Sequence, residues 1–89
     1  MTMVRVEVLT APGCRKCEAA KALVVNTIAR LRQEIPDLKV EVINLADHPE
    51  VAVQYRVMAT PAIAINGVLA FYGTPKEADL RQRLLEVAR

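Results

Sequence analysis

The sequence predicts an α/β fold in which a mixed β-sheet carries helices on both faces. Residues 2–9 alternate apolar and charged side chains, which is the period-two pattern of a strand, and a helical spacing of apolar residues follows. A second apolar strand comes after this helix, so the two strands should pair parallel through a right-handed crossover. Later, the dipeptide Asn66-Gly67 separates two short apolar runs, which is typical of an antiparallel hairpin.

Three elements are predicted in the first half of the chain. The first strand ends at Pro12-Gly13, and its inward side chains are Val4, Val6 and Val8. A helix then begins at Cys14 and stops before Pro36. Its apolar stripe consists of Ala20, Val24, Ile28, Leu31 and Ile35. The second strand covers residues 39–45.

Four shorter elements follow, which gives the order β-α-β-α-β-β-α. Asp47 is the predicted cap of a short helix over residues 49–54, with proline near the first position. The two hairpin strands cover residues 62–65 and 68–72. The tetrapeptide Thr74-Pro75-Lys76-Glu77 predicts a capping box for the last helix. The apolar face of that helix comprises Leu80, Leu84, Leu85 and Val87.

Length and composition narrow the function classes. A chain of 89 residues should form one domain over residues 1–89, and we expect a monomer. The net charge of +2 is spread along the chain and only three aromatic residues are present, so nucleic-acid binding is not expected. No run approaches the roughly 18 apolar residues of a membrane span, and residues 1–7 do not resemble a signal peptide. We therefore expect a cytoplasmic protein without a membrane segment.

Both cysteines lie in one motif, Cys14-Arg15-Lys16-Cys17, at the junction of the first strand and helix. In a cytosolic protein such spacing indicates redox chemistry or metal binding. The helix start and the cations Arg15 and Lys16 should stabilise a thiolate on Cys14, since such surroundings lower a cysteine pKa from about 8.5 to about 3.5–7.5. Cys17, one turn further, is then the resolving thiol that attacks a mixed disulfide on Cys14.

Other uses of the two cysteines remain open at this point. A structural zinc site needs four ligands, and beyond the two cysteines only His48 is of the preferred ligand types. Two inert core cysteines would require a more apolar neighbourhood than the Pro-Gly pair and the two cations provide. His48 is interpreted as a solvated residue at a helix start.

A second motif, Tyr55-Arg56-Val57-Met58-Ala59-Thr60-Pro61, lies about forty residues after the cysteines. Together with Cys-x-x-Cys, the Asn66-Gly67 hairpin and Gly73, it resembles the thioredoxin superfamily, in particular its small glutaredoxin-sized members. The resemblance extends from Val4 to Leu85. It implies a minimal thioredoxin fold with a four-stranded mixed sheet of order 4-3-1-2, in which strand 3 is antiparallel to the others.

The resemblance also implies a function, a thiol–disulfide oxidoreductase that reduces or exchanges protein disulfides. Cys14 and Cys17 are then catalytic as a redox-active disulfide, with no other cofactor and no metal. Pro61 is expected to follow a cis peptide bond, and the main chain of Thr60 to pair with an extended substrate segment. Exposed apolar surface around Met58, Ala59 and Thr60 is the expected docking surface, with packing of Met58 in the core as the alternative. A thioredoxin-reductase-like enzyme or another electron donor would be the second partner.

Two departures from the family pattern affect the mechanism. Thioredoxins bury an aspartate on the strand that leads to the cysteine motif. Here that strand offers only valines as inward residues, so proton transfer at Cys17 should use water, Glu18 or Lys16. The segment Gly73-Thr74-Pro75-Lys76 replaces the Gly-Gly and acidic cluster of glutathione-binding members, which favours protein disulfides as substrates.

Two rival functions fit the same cysteines. Copper chaperones also place Cys-x-x-Cys between a first strand and a helix, and soft thiolates suit Cu(I), so a cytosolic Cu(I) or Zn binding module is the main alternative. The long first helix and the Thr60-Pro61 element argue against it. A thioredoxin fold without redox activity is the other.

Overall fold

The computed structural model describes residues 3–88. It contains four strands and three helices in the predicted order β-α-β-α-β-β-α. The strands are β1 (Val4–Thr10), β2 (Leu38–Asn44), β3 (Ala62–Ile65) and β4 (Val68–Tyr72), and the helices are α1 (Arg15–Leu31), α2 (Pro49–Tyr55) and α3 (Glu77–Val87). Thr2, which the sequence placed in the first strand, lies outside the described residues.

The four strands form one mixed sheet in the order β2-β1-β3-β4. β1 and β2 pair parallel, whereas β3 is antiparallel to both β1 and β4. The predicted fold class and strand order are therefore confirmed. The hairpin turn is formed by Asn66 and Gly67, which both have positive φ angles of 51° and 82°. The Asn66 Oδ1 atom also accepts a hydrogen bond from the Arg5 main-chain N–H at 2.8 Å, which ties the turn to β1.

The sheet separates two apolar clusters. The larger lies between the sheet and the pair α1 and α3, and its β1 members are Val4, Val6 and Val8, all fully buried. The smaller cluster lies on the opposite face, where Leu9 contacts side chains of α2. Helices therefore cover both faces, and the two inner strands, β1 and β3, contribute side chains to both clusters.

Glu7 and Leu9 correct the prediction that only the valines of β1 point inward. Leu9 is fully buried and Glu7 is only 9% exposed. The alternating pattern was interpreted as one buried and one solvated face. The α2 side of the sheet is covered as well, so the second set of β1 side chains also lies in the protein interior.

Helix ends differ from the sequence predictions at three places. α1 ends at Leu31, because Glu34 and Ile35 donate their main-chain N–H groups to the Leu31 carbonyl and form a tight turn; Ile35 is buried but is not helical. His48, not Asp47, is the cap residue of α2, and it makes no side-chain cap hydrogen bond. Lys76 caps α3, also without a side-chain hydrogen bond, so the predicted capping box beginning at Thr74 does not form.

Strand and helix boundaries elsewhere shift by one residue. β1 and β2 each end one residue from the predicted position, at Thr10 and Asn44, and α2 extends to Tyr55. The hairpin strands have the predicted bounds, since the two turn residues between them fix both inner ends.

Candidate active site

The Cys-x-x-Cys motif lies at the start of α1, immediately after a loop that leaves the centre of the sheet. Cys14 is the N-cap residue and has an extended conformation, with φ −94° and ψ 107°. Its Sγ atom accepts a hydrogen bond from the main-chain N–H of Cys17 at 3.1 Å. The sulfur thus occupies the position that a serine or aspartate oxygen takes at ordinary helix starts.

Cys14 and Cys17 form a disulfide, with their Cα atoms 5.3 Å apart. The two residues differ in exposure. Cys17 is 3% exposed and faces the interior, whereas Cys14 is half-buried. Cys14 is therefore the more accessible of the two cysteines.

A cavity of about 510 Å³ lies beside the disulfide, between the start of α1 and the end of β2. It is open to solvent and is lined by Thr10, Ala11, Pro12, Gly13, Cys14, Arg15, Cys17, Glu18, Lys21, Val42 and Asn44. The strand ends that form one wall are held together, since Leu45 donates its N–H to the Thr10 carbonyl at 2.8 Å. Both cysteines are in contact with this space.

Arg15 and Lys16, the predicted pKa-tuning residues, are both exposed. Only Arg15 lines the cavity. Neither side chain forms an ion pair among the described residues, so both cations are exposed to solvent.

The second predicted motif lies at the same end of the sheet as the cysteines. β1 and β3 are antiparallel with Leu9 opposite Ala62, so Pro61 comes next to Thr10, the last residue before the cysteine loop. Pro61 is fully buried and its peptide bond with Thr60 is cis. The Gly73 N–H donates to the Pro61 carbonyl at 2.8 Å, which fixes the loop against the end of β4.

Thr60 and its neighbours form the accessible part of this loop. Thr60 is half-buried, Ala59 is exposed and Met58 is 93% exposed. Among residues 3–88, no backbone–backbone hydrogen bond uses the N–H or C=O of Thr60. None of these three residues lines the cavity, which lies on the β2 side of the cysteines rather than on the β3 side.

Glu7 is a buried acidic residue that the sequence interpretation did not select. Its Oε1 atom accepts a hydrogen bond from the Tyr55 hydroxyl at 2.5 Å, and the Arg5 Nε atom lies 4.0 Å away. Burial, followed by the hydrogen bond to Glu7, raises the pKa of Tyr55 above its usual 10.0. Glu7 does not line the cavity beside the disulfide. The sequence did contain a signal for this residue, since Glu7 is an acidic residue within a valine-rich strand.

The sequence matches the family described as "Thioredoxin domain" over residues 4–85. The chain belongs to the thioredoxin family. A protein named "Thioredoxin" from Methanocaldococcus jannaschii is 42% identical over 80 residues, which are 88% of this chain and 89% of the relative. A "Probable Thioredoxin" from Methanothermobacter thermautotrophicus is 38% identical over 79 residues and covers 88% of each chain.

Solved structures agree with the thioredoxin assignment. The structure of a protein disulfide oxidoreductase from Aeropyrum pernix superimposes with a TM-score of 0.80 and 30% identity over 97% of this chain. This chain spans only 38% of that protein. Thioredoxin from Fasciola hepatica has a TM-score of 0.73 over 94% of this chain and 80% of its own, and at 24% identity it supports the fold alone.

Membership of the thioredoxin family and the Cys14–Cys17 disulfide confirm the predicted function class, a thiol–disulfide oxidoreductase. Proteins of the thioredoxin family act on protein disulfides. Residues 3–88 include no group of three or more histidine, cysteine, aspartate or glutamate side chains arranged to hold a metal ion. Within the same residues, no helix has the length and apolar character needed to cross a membrane.

Proposed function

We propose that the chain transfers electrons to disulfide bonds of protein substrates, with Cys14 as the attacking thiolate and Cys17 as the resolving thiol. The observation that carries this assignment is the difference in exposure and position between the two sulfurs. Cys14 caps α1 and is half-buried, whereas Cys17 is 3% exposed. A thiolate at a helix start is stabilised by main-chain N–H groups, here by that of Cys17.

The reaction consists of two exchange steps that balance in atoms and electrons. The Cys14 thiolate attacks one sulfur of the substrate disulfide, which forms a mixed disulfide and releases the other substrate sulfur as a thiolate. Cys17 then attacks the Cys14 sulfur, which restores the Cys14–Cys17 disulfide and releases the second substrate thiol. Two electrons pass from the cysteine pair to the substrate, and the pair itself carries them without a cofactor.

Substrate recognition is proposed to use the loop formed by Met58, Ala59, Thr60 and Pro61. The main-chain N–H and C=O of Thr60 make no backbone hydrogen bond among residues 3–88, so they can pair with an extended substrate segment. The exposed Met58 and Ala59 offer an apolar contact next to it. Pro61, fully buried, fixes the position of this loop at the end of the sheet where the cysteines lie.

Arg15 and Lys16 are proposed to favour the thiolate form of Cys14, since both are cationic, exposed and next to it in the chain. The oxidised pair must be reduced again by an external donor, for which a thioredoxin-reductase-like enzyme is the proposed class. We infer that the protein acts as a single-domain monomer. We also infer that it acts in the cytoplasm, because a reducing compartment keeps a dithiol of this kind available for turnover.

A trapping experiment tests the division of roles. Cys17→Ser retains the attacking thiol but cannot resolve, so it should accumulate a mixed disulfide with insulin chains on non-reducing gels. Cys14→Ser, the matched control, should accumulate little. Equal trapping by both variants would contradict the assignment. The wild type, purified anaerobically, should reduce insulin with dithiothreitol as electron donor; a tight Cu(I) or zinc complex without turnover would favour the metal-binding alternative.

A further inference from the structure

In the proposed function, on which this inference rests, the Cys17 thiol must lose its proton before it can attack the mixed disulfide. A thiol is a nucleophile only as the thiolate, and a thiol with little solvent contact holds its proton more tightly than an exposed one. Cys17 is 3% exposed. Cys17 lines the cavity of about 510 Å³ on the β2 side, and this space gives its proton a route to solvent.

Glu18 is the one carboxylate among the described residues that line this cavity. Glu18 and Lys21 of α1 follow its N-cap residue, Cys14, by four and seven residues, which puts the three on one side of the helix. The charged groups that line the cavity all come from α1 and are Arg15, Glu18 and Lys21. The wall formed by β1, its following loop and β2 contributes only uncharged residues, namely Thr10, Ala11, Pro12, Gly13, Val42 and Asn44.

We propose that Glu18 is the proton acceptor for Cys17, acting through water in this cavity. A volume of about 510 Å³ is many times the roughly 30 Å³ that one water molecule occupies in the liquid. The Cys17 thiol gives its proton to a water molecule, which passes a proton to the Glu18 carboxylate. The thiolate formed on Cys17 attacks the Cys14 sulfur, and the bond from Cys14 to the substrate sulfur breaks. In the reverse direction, protonated Glu18 returns the proton to Cys17.

Lys16, the other residue that the sequence suggested for proton transfer, does not line the cavity. Lys21 does, but an ammonium group only donates hydrogen bonds and has no lone pair to take up a proton. The acceptor is therefore supplied by the helix that carries both cysteines, whereas in the family pattern an aspartate is supplied by the first strand.

A stopped-flow reaction with 5,5′-dithiobis(2-nitrobenzoate) isolates the step. The reduced protein releases one coloured thiolate when Cys14 attacks and a second when Cys17 resolves the mixed disulfide, and the second release is first order in protein. The leaving group departs as a stable thiolate that needs no proton, so the proton of Cys17 is the one that matters. We compare the wild type, Glu18→Gln, Glu18→Asp and the control Glu41→Gln between pH 6 and pH 9.5.

Glu41 is the matched control because it is an exposed glutamate on β2 whose neighbour Val42 lines the cavity, so Glu41 itself points to the opposite face of the sheet. Glu18→Gln should slow the second release at least about 10-fold at pH 7, since general bases contribute about 10²–10⁴-fold when they act directly. The deficit should shrink toward pH 9.5, where hydroxide removes the proton. The first release should change less than about twofold, and Glu18→Asp should recover part of the rate.

Two results would overturn the inference. One is a second release by Glu18→Gln with the wild-type rate and pH profile. The other is a loss of rate that is not specific, either because Glu18→Gln slows both releases equally or because Glu41→Gln slows the second release as much as Glu18→Gln does. A loss of this kind would indicate a general effect of charge. Failure of the proposed function looks different, because the wild type would then reduce insulin no faster than dithiothreitol alone and Cys17→Ser would trap no mixed disulfide with insulin chains. Thermal unfolding checks that each variant is folded, which is expected because Glu18 and Glu41 are both exposed.

Discussion

Replacement of Tyr55 by phenylalanine should destabilise the protein through Glu7. The Tyr55 hydroxyl is the hydrogen-bond donor to the Glu7 carboxylate, at 2.5 Å, and Glu7 is 9% exposed. Loss of this donor leaves a buried carboxylate without its partner on α2, which costs about 1–3 kcal/mol. Because Tyr55 is half-buried and water can replace part of the bond, we expect about 1.5 kcal/mol. For a domain of this size that corresponds to a Tm lower by about 6–12 °C.

Tyr72→Phe is the matched control, since Tyr72 is 70% exposed and its hydroxyl has no hydrogen-bond partner in the described residues. Its Tm should change by less than about 2 °C, as for other surface substitutions. Calorimetry of both variants checks the difference, and a Tyr55→Phe loss no larger than that of Tyr72→Phe would refute the reasoning. A Glu7→Gln variant and the double variant would then measure the coupling between the two side chains directly.

The same hydrogen bond predicts a dependence on alkaline pH. The folded protein raises the pKa of Tyr55 above 10.0, first through burial and then through the hydrogen bond to Glu7. The folded state therefore holds the phenol proton more tightly than the unfolded chain. This contribution to stability is complete below pH 10.0 and is lost as the pH rises through the folded pKa. The advantage of the wild type over Tyr55→Phe should thus be constant between pH 7 and pH 9 and decline at higher pH.

Two further predictions compare matched pairs of side chains. Val24→Ala, at a fully buried position of α1, should lower the free energy of unfolding in urea by about 1.5–3 kcal/mol. Val53 is 78% exposed on α2, so Val53→Ala should lower it by less than about 0.5 kcal/mol. Equal losses would contradict the assigned core. Met58→Ser should raise KM for insulin about 3-fold or more, as loss of an apolar interface contact does, without slowing the first release from the chromogenic disulfide. Met3 is also an exposed methionine but lies beside the other end of β1. Met3→Ser should therefore leave the KM for insulin and the rate of the first release unchanged.

The sequence was most informative where local chemistry dictates the backbone. Asn66 and Gly67 fix the hairpin because both turn positions need positive φ angles, and β3 and β4 consequently have the predicted bounds. The Cys-x-x-Cys motif at the strand–helix junction predicted the position of Cys14 at the helix start. Its joint occurrence with Thr60-Pro61 was specific enough to indicate the family.

Other features depend on tertiary packing, and the sequence did not predict them. Glu7 is buried because α2 covers the second face of the sheet, which an alternating pattern in one strand does not reveal. Ile35 continues the apolar periodicity of α1 but reaches the core from a turn, so periodicity alone placed the helix end too late. The caps of α2 and α3 were misplaced since favourable residues such as Asp47 and Thr74 lay close to the actual starts.

The strand order has a consequence for the timing of turnover. β1 is followed by the cysteine loop and lies between β2, where the cavity opens, and β3, which begins directly after Pro61. A protein bound along Thr60 would therefore cover the β3 side of the disulfide and leave the β2 side exposed to solvent. Bulk solvent then still reaches the mixed disulfide between Cys14 and the substrate. The lifetime of this mixed disulfide should therefore depend on the pH and the deuterium content of the buffer, even while the partner stays bound.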